Sequence, residues 1–272
     1  PCFNEESFIS SFLESIDGQT IFKNNTNNIE LIIVDGGSDD RSVEYIKSTH
    51  LENISNFHLV KNSNHSTPSS LNTGIKNSSG KYIIRLDIHA NYPKDYCELL
   101  LDFIESSDKK CGNVGFPIRT LSITKDLKSS AIAATLSSKL GVGNSAFRTI
   151  GSFSSPISVD TVPFGCFKRE ILDEIGLFDE FFHRNQDDEL NLRIKKHGYN
   201  IYLLPSREAF YYCRRDFKSL FLQYYQFGYY KPFVGIKHRR PSNLRQFFPP
   251  LLTFSIITLI LASFINFYAM IL

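Results

Sequence analysis

Apolar runs of strand length alternate with segments of helical period along most of this chain. Ile29–Val34 (IELIIV) reads as a buried strand, Lys81–Leu86 (KYIIRL) as another, and Gly112–Pro117 as a weaker third. Between them the period turns helical. Phe8, Phe12 and Ile16 fall at i, i+4 and i+8, with Asn4 placed as an N-cap. Pro68 and Pro93 suit first-turn positions ahead of Leu71/Ile75 and of Tyr96/Leu100/Phe103. Leu190 and Ile194 share one face of Asp187–His197, and Gly198 supplies the stop. Strands and helices in this order predict an α/β fold, a mainly parallel sheet sandwiched by helices. The stretch Gly141–Pro156, rich in Gly and Ser, reads as a mobile loop.

The pattern changes after Arg245, the last charged residue. Leu251–Leu272 holds 22 residues without a charge, which as a helix spans about 33 Å against a hydrocarbon core of about 30 Å. A C-terminal transmembrane helix over 251–272 is expected. Lys231, Lys237, Arg239, Arg240 and Arg245 lie just before it, and the positive-inside rule keeps them and everything upstream cytoplasmic. The predicted organisation is a globular domain over 1–230, a basic and aromatic membrane-interface segment over 231–250, and the span. This places the chain in the cell membrane, with one pass or more. Tyr211, Tyr212, Arg214, Arg215 and the run QYYQFGYYK fit either an amphipathic interfacial segment or a packed aromatic helix.

Composition narrows the function classes. Lys and Arg number 30 against 28 Asp and Glu, a net charge of +2 that argues against a general nucleic-acid binder. With 42% hydrophobic and 21% charged residues, the chain can build a core. The 5 Cys form no CxxC pair, which suggests reduced thiols rather than a disulfide scaffold or zinc site. The first residue is Pro1, so the native N-terminus is expected to lie upstream. No secretory signal is visible. Neither GxGxxG after a strand nor GxxxxGK[ST] occurs, which disfavours a dinucleotide-binding dehydrogenase or a P-loop NTPase.

Ligands of open parallel sheets bind beyond the carboxyl ends of the strands. Asp35 ends IELIIV and opens DGGSDD; Asp87 ends KYIIRL and opens DIHANYP. Turn capping would explain either alone; two at one sheet edge point to a site. In an extended backbone Asp87 and His89 would face the same way and could share a divalent cation, Mn2+ or Mg2+, bridging a substrate diphosphate. Gln186-Asp187-Asp188-Glu189 opens a helix after GLFDEFFHRN. Acids there complement the helix dipole, or hold a general base at the sheet edge.

In this order the segments resemble the family 2 glycosyltransferases of the GT-A fold, in the branch of the succinoglycan-type glucosyltransferases. PCFNEESFISSFLESIDGQT is similar to the family's P-x-(Y/F)-N-E start and its following helix. IELIIVDGGSDDRS resembles the strand and turn written VDDGSxDxT. LNTGIKNSSGKYIIRLDIHANYP resembles the N-x-G helix and a DxD variant of the form DxH. VDTVPFGCFKREILDEIGLFDEFFHRNQDDELNLRIKKHGY resembles the acceptor-side strand, the GxFDE turn and the ED-motif helix. The resemblance covers about residues 1–240.

It implies that Pro1, Phe3, Asn4, Glu5 and Asp35 hold the uridine of a UDP-sugar, with Arg85 also among the substrate-binding residues. Asp87 and His89 would bind the metal–diphosphate, and Asp187, or Asp188 one residue on, would be the catalytic base. Arg148 and its Gly-rich stretch are candidates to close over the donor. Three departures matter. Gln186 stands where the family has Glu, which alters the surroundings of the base. Gly36 replaces the second acid of VDDGS. Gln223-Tyr-Tyr-Gln226-Phe227 is the nearest match to the Q-x-x-R-W of processive synthases, which favours addition of a single sugar. The family's first strand precedes Pro1, so Ile29–Val34 is expected to keep an open edge or borrow a neighbour.

The implied reaction is inverting transfer of one sugar from a UDP-sugar to a polyprenyl-diphosphate-linked glycan at the membrane. Asp187 would take the acceptor proton, and a divalent cation would offset charge on the leaving UDP. A catalytically silent, membrane-tethered nucleotide-sugar-binding subunit is the alternative that Gln186 keeps open. A nucleotidyltransferase is disfavoured by the acidic DGGSDD.

Overall fold

Ile9–Asp17 (α1) forms because Ile9, Phe12, Leu13 and Ile16 make one buried stripe. Thr20–Asn24 (α2), Leu31–Asp35 (β1), Ser42–Ser48 (α3), Phe57–Lys61 (β2) and Thr67–Lys76 (α4) follow, then Tyr82–Ile84 (β3), Ala90–Asn91 (β4) and Tyr96–Ser106 (α5). Next come Cys111–Gly115 (β5), Ile118–Leu121 (β6), Leu127–Leu136 (α6), Lys139–Val142 (α7), Ala146–Thr149 (α8), Ile157–Ser158 (β7) and Cys166–Lys168 (β8). Arg169–Ile175 (α9), Gln186–Lys196 (α10), Asn200–Leu203 (β9), Ala209–Tyr212 (β10), Phe217–His238 (α11) and Phe248–Ile265 (α12) complete the order. The computed structural model describes residues 1–24, 28–124, 126–143, 145–241 and 244–265. Two compact units are distinguished, Pro1–Tyr230 and Lys231–Leu272.

The sheets are mixed rather than mainly parallel. A five-stranded sheet has the order β3-β8-β5-β9-β7, a three-stranded sheet β4-β10-β6, and β1 pairs with β2 alone. The pairs β1–β2, β5–β9 and β6–β10 are parallel. Strand β8 returns from a long excursion and inserts antiparallel to both β3 and β5; β7 is antiparallel to β9, and β10 to β4. Local hydrophobic pattern marks a strand but not its direction.

The helix stops and starts mostly follow local chemistry. Ser66 caps α4, accepting the Ser69 N–H at 3.3 Å, with Pro68 in the first turn. Gly198, at φ 84°, ends α10 in the left-handed region that suits glycine. Asn4 is not the N-cap of α1: the helix begins at Ile9, and Asn4 sits at φ 56° with its side chain turned to another loop. The expected loop 141–156 includes the end of α7, the helix α8 and the start of the approach to β7, while Asn144 lies outside the described residues. All five Cys are buried and free.

One buried cluster packs α1, β1 and α5 through Ile9, Phe12, Ile33, Leu100 and Ile104. A second joins α4, α9, α10 and β9 through Leu71, Leu172, Leu190, Ile194 and Leu203. Beside β2, the other edge of β1 carries only the bridge Cys2–Asp35, with the Cys2 N–H on Val34 O at 2.8 Å. Along that edge a cavity of about 530 Å³ is lined by residues 29–34 of β1 and its approach and by 80–86 around β3. Among the described residues no strand lies between them.

The expected transmembrane helix over 251–272 requires correction. Helix α12, Phe248–Ile265, runs up to the last described residue. Among the described residues no helix is long and apolar enough to cross a membrane. Residues 266–272 of the expected span lie outside the described residues. Residues 231–250 comprise the end of α11, a 3₁₀ turn at Leu244–Phe247 and the start of α12, with 242–243 not described.

Candidate active site

The turn after β1 is built by its own acid. Asp35 is buried and accepts the N–H groups of Gly37 at 3.2 Å and Ser38 at 3.0 Å, an Asx turn that reverses the chain. Gly37 has φ 85°, and a Cβ there would come within 2.8 Å of the His65 ring, so the position admits only glycine without rearrangement. The His65 ring nitrogen Nδ1 bonds Gly36 O. Residues 4–6 are laced to the same turn. The Asn4 N–H donates to Ser38 Oγ at 3.0 Å, and Asn4 Oδ1 accepts the Asp39 N–H at 3.0 Å. Further along, the Glu5 N–H donates to Ser42 Oγ at 2.7 Å and the Glu6 N–H to Asp40 Oδ2 at 3.0 Å. The structure thus brings Phe3, Asn4 and Asp35 together around one turn. Pro1 lines the cavity beside β1, and the exposed Phe3 ring lies 5.8 Å from His65.

Asp87 and His89 also meet, but not by strand alternation. β3 ends at Ile84, and residues 88–89 form a turn in which the Asp87 carboxylate accepts the His89 N–H at 3.0 Å. The turn folds His89 Nδ1 back to 3.8 Å from Asp87 Oδ1 and to 3.1 Å from Glu5 Oε1. Glu5, expected against uridine, thus also meets the His89 imidazole. Its second oxygen, Oε2, is buried with no partner. The Phe8 ring packs 4.5 Å from the imidazole, and the buried Tyr92 hydroxyl accepts the Asp87 N–H at 2.7 Å.

Among the described residues no group of three or more His, Cys, Asp or Glu is arranged to hold a metal ion. What the turn offers is a pair with a support. A carboxylate that engages one imidazole nitrogen orients the other nitrogen toward a cation. One carboxylate and one imidazole fit Mn2+ or Mg2+ when the remaining ligands are diphosphate and water oxygens.

Helix α10 carries the acid cluster to the same strand end. The Asp187 carboxylate, 33% exposed, forms an ion pair with the guanidinium of Arg85, 8% exposed. Burial alone would lower the Arg85 pKa; Asp187 and then Asp87 outweigh it and hold the pKa raised. Arg85 Nε is buried without a partner. Arg85 therefore stands in the field of both the expected base and the expected metal ligand. Asp188 follows one residue further around the helix, about 100° away at 3.6 residues per turn. Gln186 is buried at the first position.

The start of α10 is pinned from three sides. Asn185 adopts φ 63° and donates from Nδ2 to Phe227 O at 2.9 Å, while Arg184 Nε donates to Gln226 Oε1 at 2.9 Å. Arg193 chelates Glu189 through Nε and Nη2, then donates to the carbonyls of Ile175, Gly176 and Leu177 at 2.6–2.8 Å. Asn72 of α4 donates to Phe178 O at 2.8 Å and accepts the Phe178 N–H at 3.0 Å. The GLFDE turn thus hangs between Asn72 and Arg193. Asn72→Ala leaves two backbone groups of Phe178 without partners, at roughly 1–3 kcal/mol each. The denaturant midpoint should fall, and an unchanged midpoint would show that water replaces the carboxamide.

Comparison with known proteins bears on this arrangement. Residues 1–176 match the family described as Glycosyl transferase family 2. Succinoglycan biosynthesis protein ExoA of Rhizobium meliloti (strain 1021) is 30% identical over 92% of this chain and 72% of its own length. The chain belongs to glycosyl transferase family 2. A second relative of this family 2 glycosyltransferase comes from Methanococcus voltae. It is dolichyl N-acetyl-alpha-D-glucosaminyl phosphate 3-beta-D-2,3-diacetamido-2,3-dideoxy-beta-D-glucuronosyltransferase, 28% identical over 98% of this chain and 81% of that protein. The solved structure of S. aureus TarS 1-349 in complex with UDP superposes with a TM-score of 0.60 at 12% identity, covering 87% of this chain and 63% of that one. This chain spans less than two thirds of that structure, and the likeness establishes the α/β GT-A-like fold.

Within the family 2 chain, the segment nearest to Q-x-x-R-W is not remote from the site. Gln226 and Phe227 are the residues that hold Arg184 and Asn185. Motif reading missed the supports: Glu5 on His89, Arg85 on Asp187, Asn72 under the GLFDE turn. Only the Glu189–Arg193 spacing of i, i+4 left a signal in the sequence.

Proposed function

We propose that the chain is an inverting, metal-dependent glycosyltransferase that moves one sugar from a UDP-sugar to a lipid-linked glycan in polysaccharide assembly. The observation that carries this reading is the meeting of Asp187 with Arg85 at the strand end that also presents Asp87 and His89. A proton acceptor and a diphosphate-binding pair then stand at one edge. In the proposal Phe3, Asn4 and Asp35 hold the nucleoside, and Pro1 borders it. Asp187 takes the proton from the acceptor hydroxyl as that oxygen attacks the anomeric carbon, which inverts configuration. Asp87 and His89 would hold Mn2+ or Mg2+, which when bound offsets charge on the departing diphosphate. Arg85 is placed to share that charge.

The UDP complex named above supports a uridine-nucleotide donor, and the dolichyl phosphate in one relative's name supports a lipid-borne acceptor. Leu251, Leu252, Phe254 and Ile257 of α12 are exposed apolar side chains, which supports attachment to a membrane, with the site on the cytoplasmic side.

A donor panel scored by UDP release in membranes, with manganese present, tests the reading. Chelator should abolish release and manganese restore it; full activity in excess chelator would refute the metal. The second reading, a silent nucleotide-sugar-binding subunit, is favoured by Gln186 at the family's Glu position. It predicts UDP binding with no release from any donor.

A further inference from the structure

Three arginines from separate elements gather about Tyr211: Arg148, named above as a candidate to close over the donor, Arg184, which helps to hold the start of α10, and Arg214, which has no role so far. Arg148 on α8 stacks its guanidinium 5.6 Å from the Tyr211 ring centroid and 5.6 Å from that of Phe147, and donates to Thr120 Oγ1 at 3.0 Å. Arg184, before α10, reaches Gln226 at 2.9 Å. Arg214, just past β10, lies close enough to repel Arg184 and to act on Tyr211. All three are partly buried. Among the described residues none of them forms an ion pair, whereas Arg41, Arg85, Arg193 and Arg207 each hold a carboxylate. Burial pulls the Arg148 and Arg184 guanidinium groups below their ordinary pKa, and the influence of Asp87 on Arg184 does not offset it.

Cations crowded together and partly desolvated without a counter-charge are costly to keep. They are the arrangement that an oxyanion completes, since guanidinium forks match phosphate oxygens in pairs. The cluster borders the reaction edge: the Tyr212 N–H donates to His89 O at 2.9 Å, and β10 pairs with β4 just after the Asp87–His89 turn.

We propose that Arg148, Arg184 and Arg214 form a phosphate-binding subsite for the phosphate or diphosphate of the acceptor. This rests on the glycosyltransferase reading, in which the donor's diphosphate is already taken by Asp87, His89 and Arg85. The acceptor's own phosphate is then the anion left to neutralise this cluster. It would hold the lipid-borne end while the sugar hydroxyl reaches Asp187.

Calorimetric titration of the full chain with geranyl diphosphate, with saturating UDP present, tests the subsite without requiring turnover. Arms with inorganic pyrophosphate and with geraniol separate phosphate recognition from lipid recognition. Arg148→Gln and Arg214→Gln should each weaken geranyl diphosphate binding by about 10-fold or more, the size of a lost charged hydrogen bond. Arg214→Lys should recover part of it, pyrophosphate should compete, geraniol should not bind, and UDP affinity should stay within about twofold. Geranyl diphosphate binding unchanged in both Gln variants would overturn the subsite. Displacement of the probe by UDP, or a parallel loss of UDP affinity, would overturn it by assigning the cluster to the donor. Arginine-dependent binding in a chain that releases no UDP would uphold the subsite and sink the transferase reading instead.

Discussion

Asp187→Asn should cut turnover by about 10²- to 10⁴-fold, the contribution of a positioned base, while UDP affinity stays as it was. The carboxamide keeps an oxygen for Arg85, so the start of α10 should hold its place, but it accepts no proton. The neighbouring acid gives the comparison. If Asp188→Asn is the dead variant and Asp187→Asn stays active, the base is the next residue and the ion pair to Arg85 is only structural. UDP release from donor and acceptor, measured beside calorimetric UDP binding, separates the two cases.

The largest stability effect should come from Arg193→Ala. Glu189 is 0% exposed, and removing the guanidinium breaks a buried ion pair, a loss of about 3–5 kcal/mol. The carbonyls of Ile175, at the end of α9, and of Gly176 and Leu177 in the GLFDE turn lose their donor in the same change. A chain of this size should melt roughly 6–20 °C lower, at about 2–4 °C per kcal/mol. The double variant Glu189→Leu/Arg193→Met removes both charges and should recover much of the loss. A melting point within a degree or two of the original in Arg193→Ala would mean that water reaches Glu189.

What the sequence made legible were features whose cause is local. IELIIV is a strand because Leu31–Val34 is an unbroken run of four apolar, mostly β-branched residues, and Asp35 is a turn former wherever glycines follow it. Asp187 was legible because acids after a GLFDE turn sit at a helix start. The reversed direction of β8 was not, because it depends on how the chain returns from the excursion after β6. The pairing of Arg85 with Asp187 joins residues 102 apart, and no periodicity encodes it. His89 shows the limit most plainly. Its partnership with Asp87 was expected from an extended strand, yet the chain makes it by a turn, and the turn is what brings Glu5 to the imidazole. The apolar end of the chain was legible as helix, whereas its expected crossing of a bilayer is not met by the described residues.

The ion pair between Arg85 and Asp187 has a consequence for the order of events. In the proposed mechanism the Arg85 guanidinium occupies the Asp187 carboxylate that would receive the acceptor's proton, so the base is masked until that guanidinium moves. The anion best suited to draw Arg85 away is the donor's diphosphate. An acceptor arriving first would find no base, and a donor arriving first would uncover one. Steady-state kinetics should therefore be compulsory-ordered, with UDP competitive against the donor and noncompetitive against the acceptor. A random-order pattern would mean that Arg85 stays on Asp187 throughout the cycle.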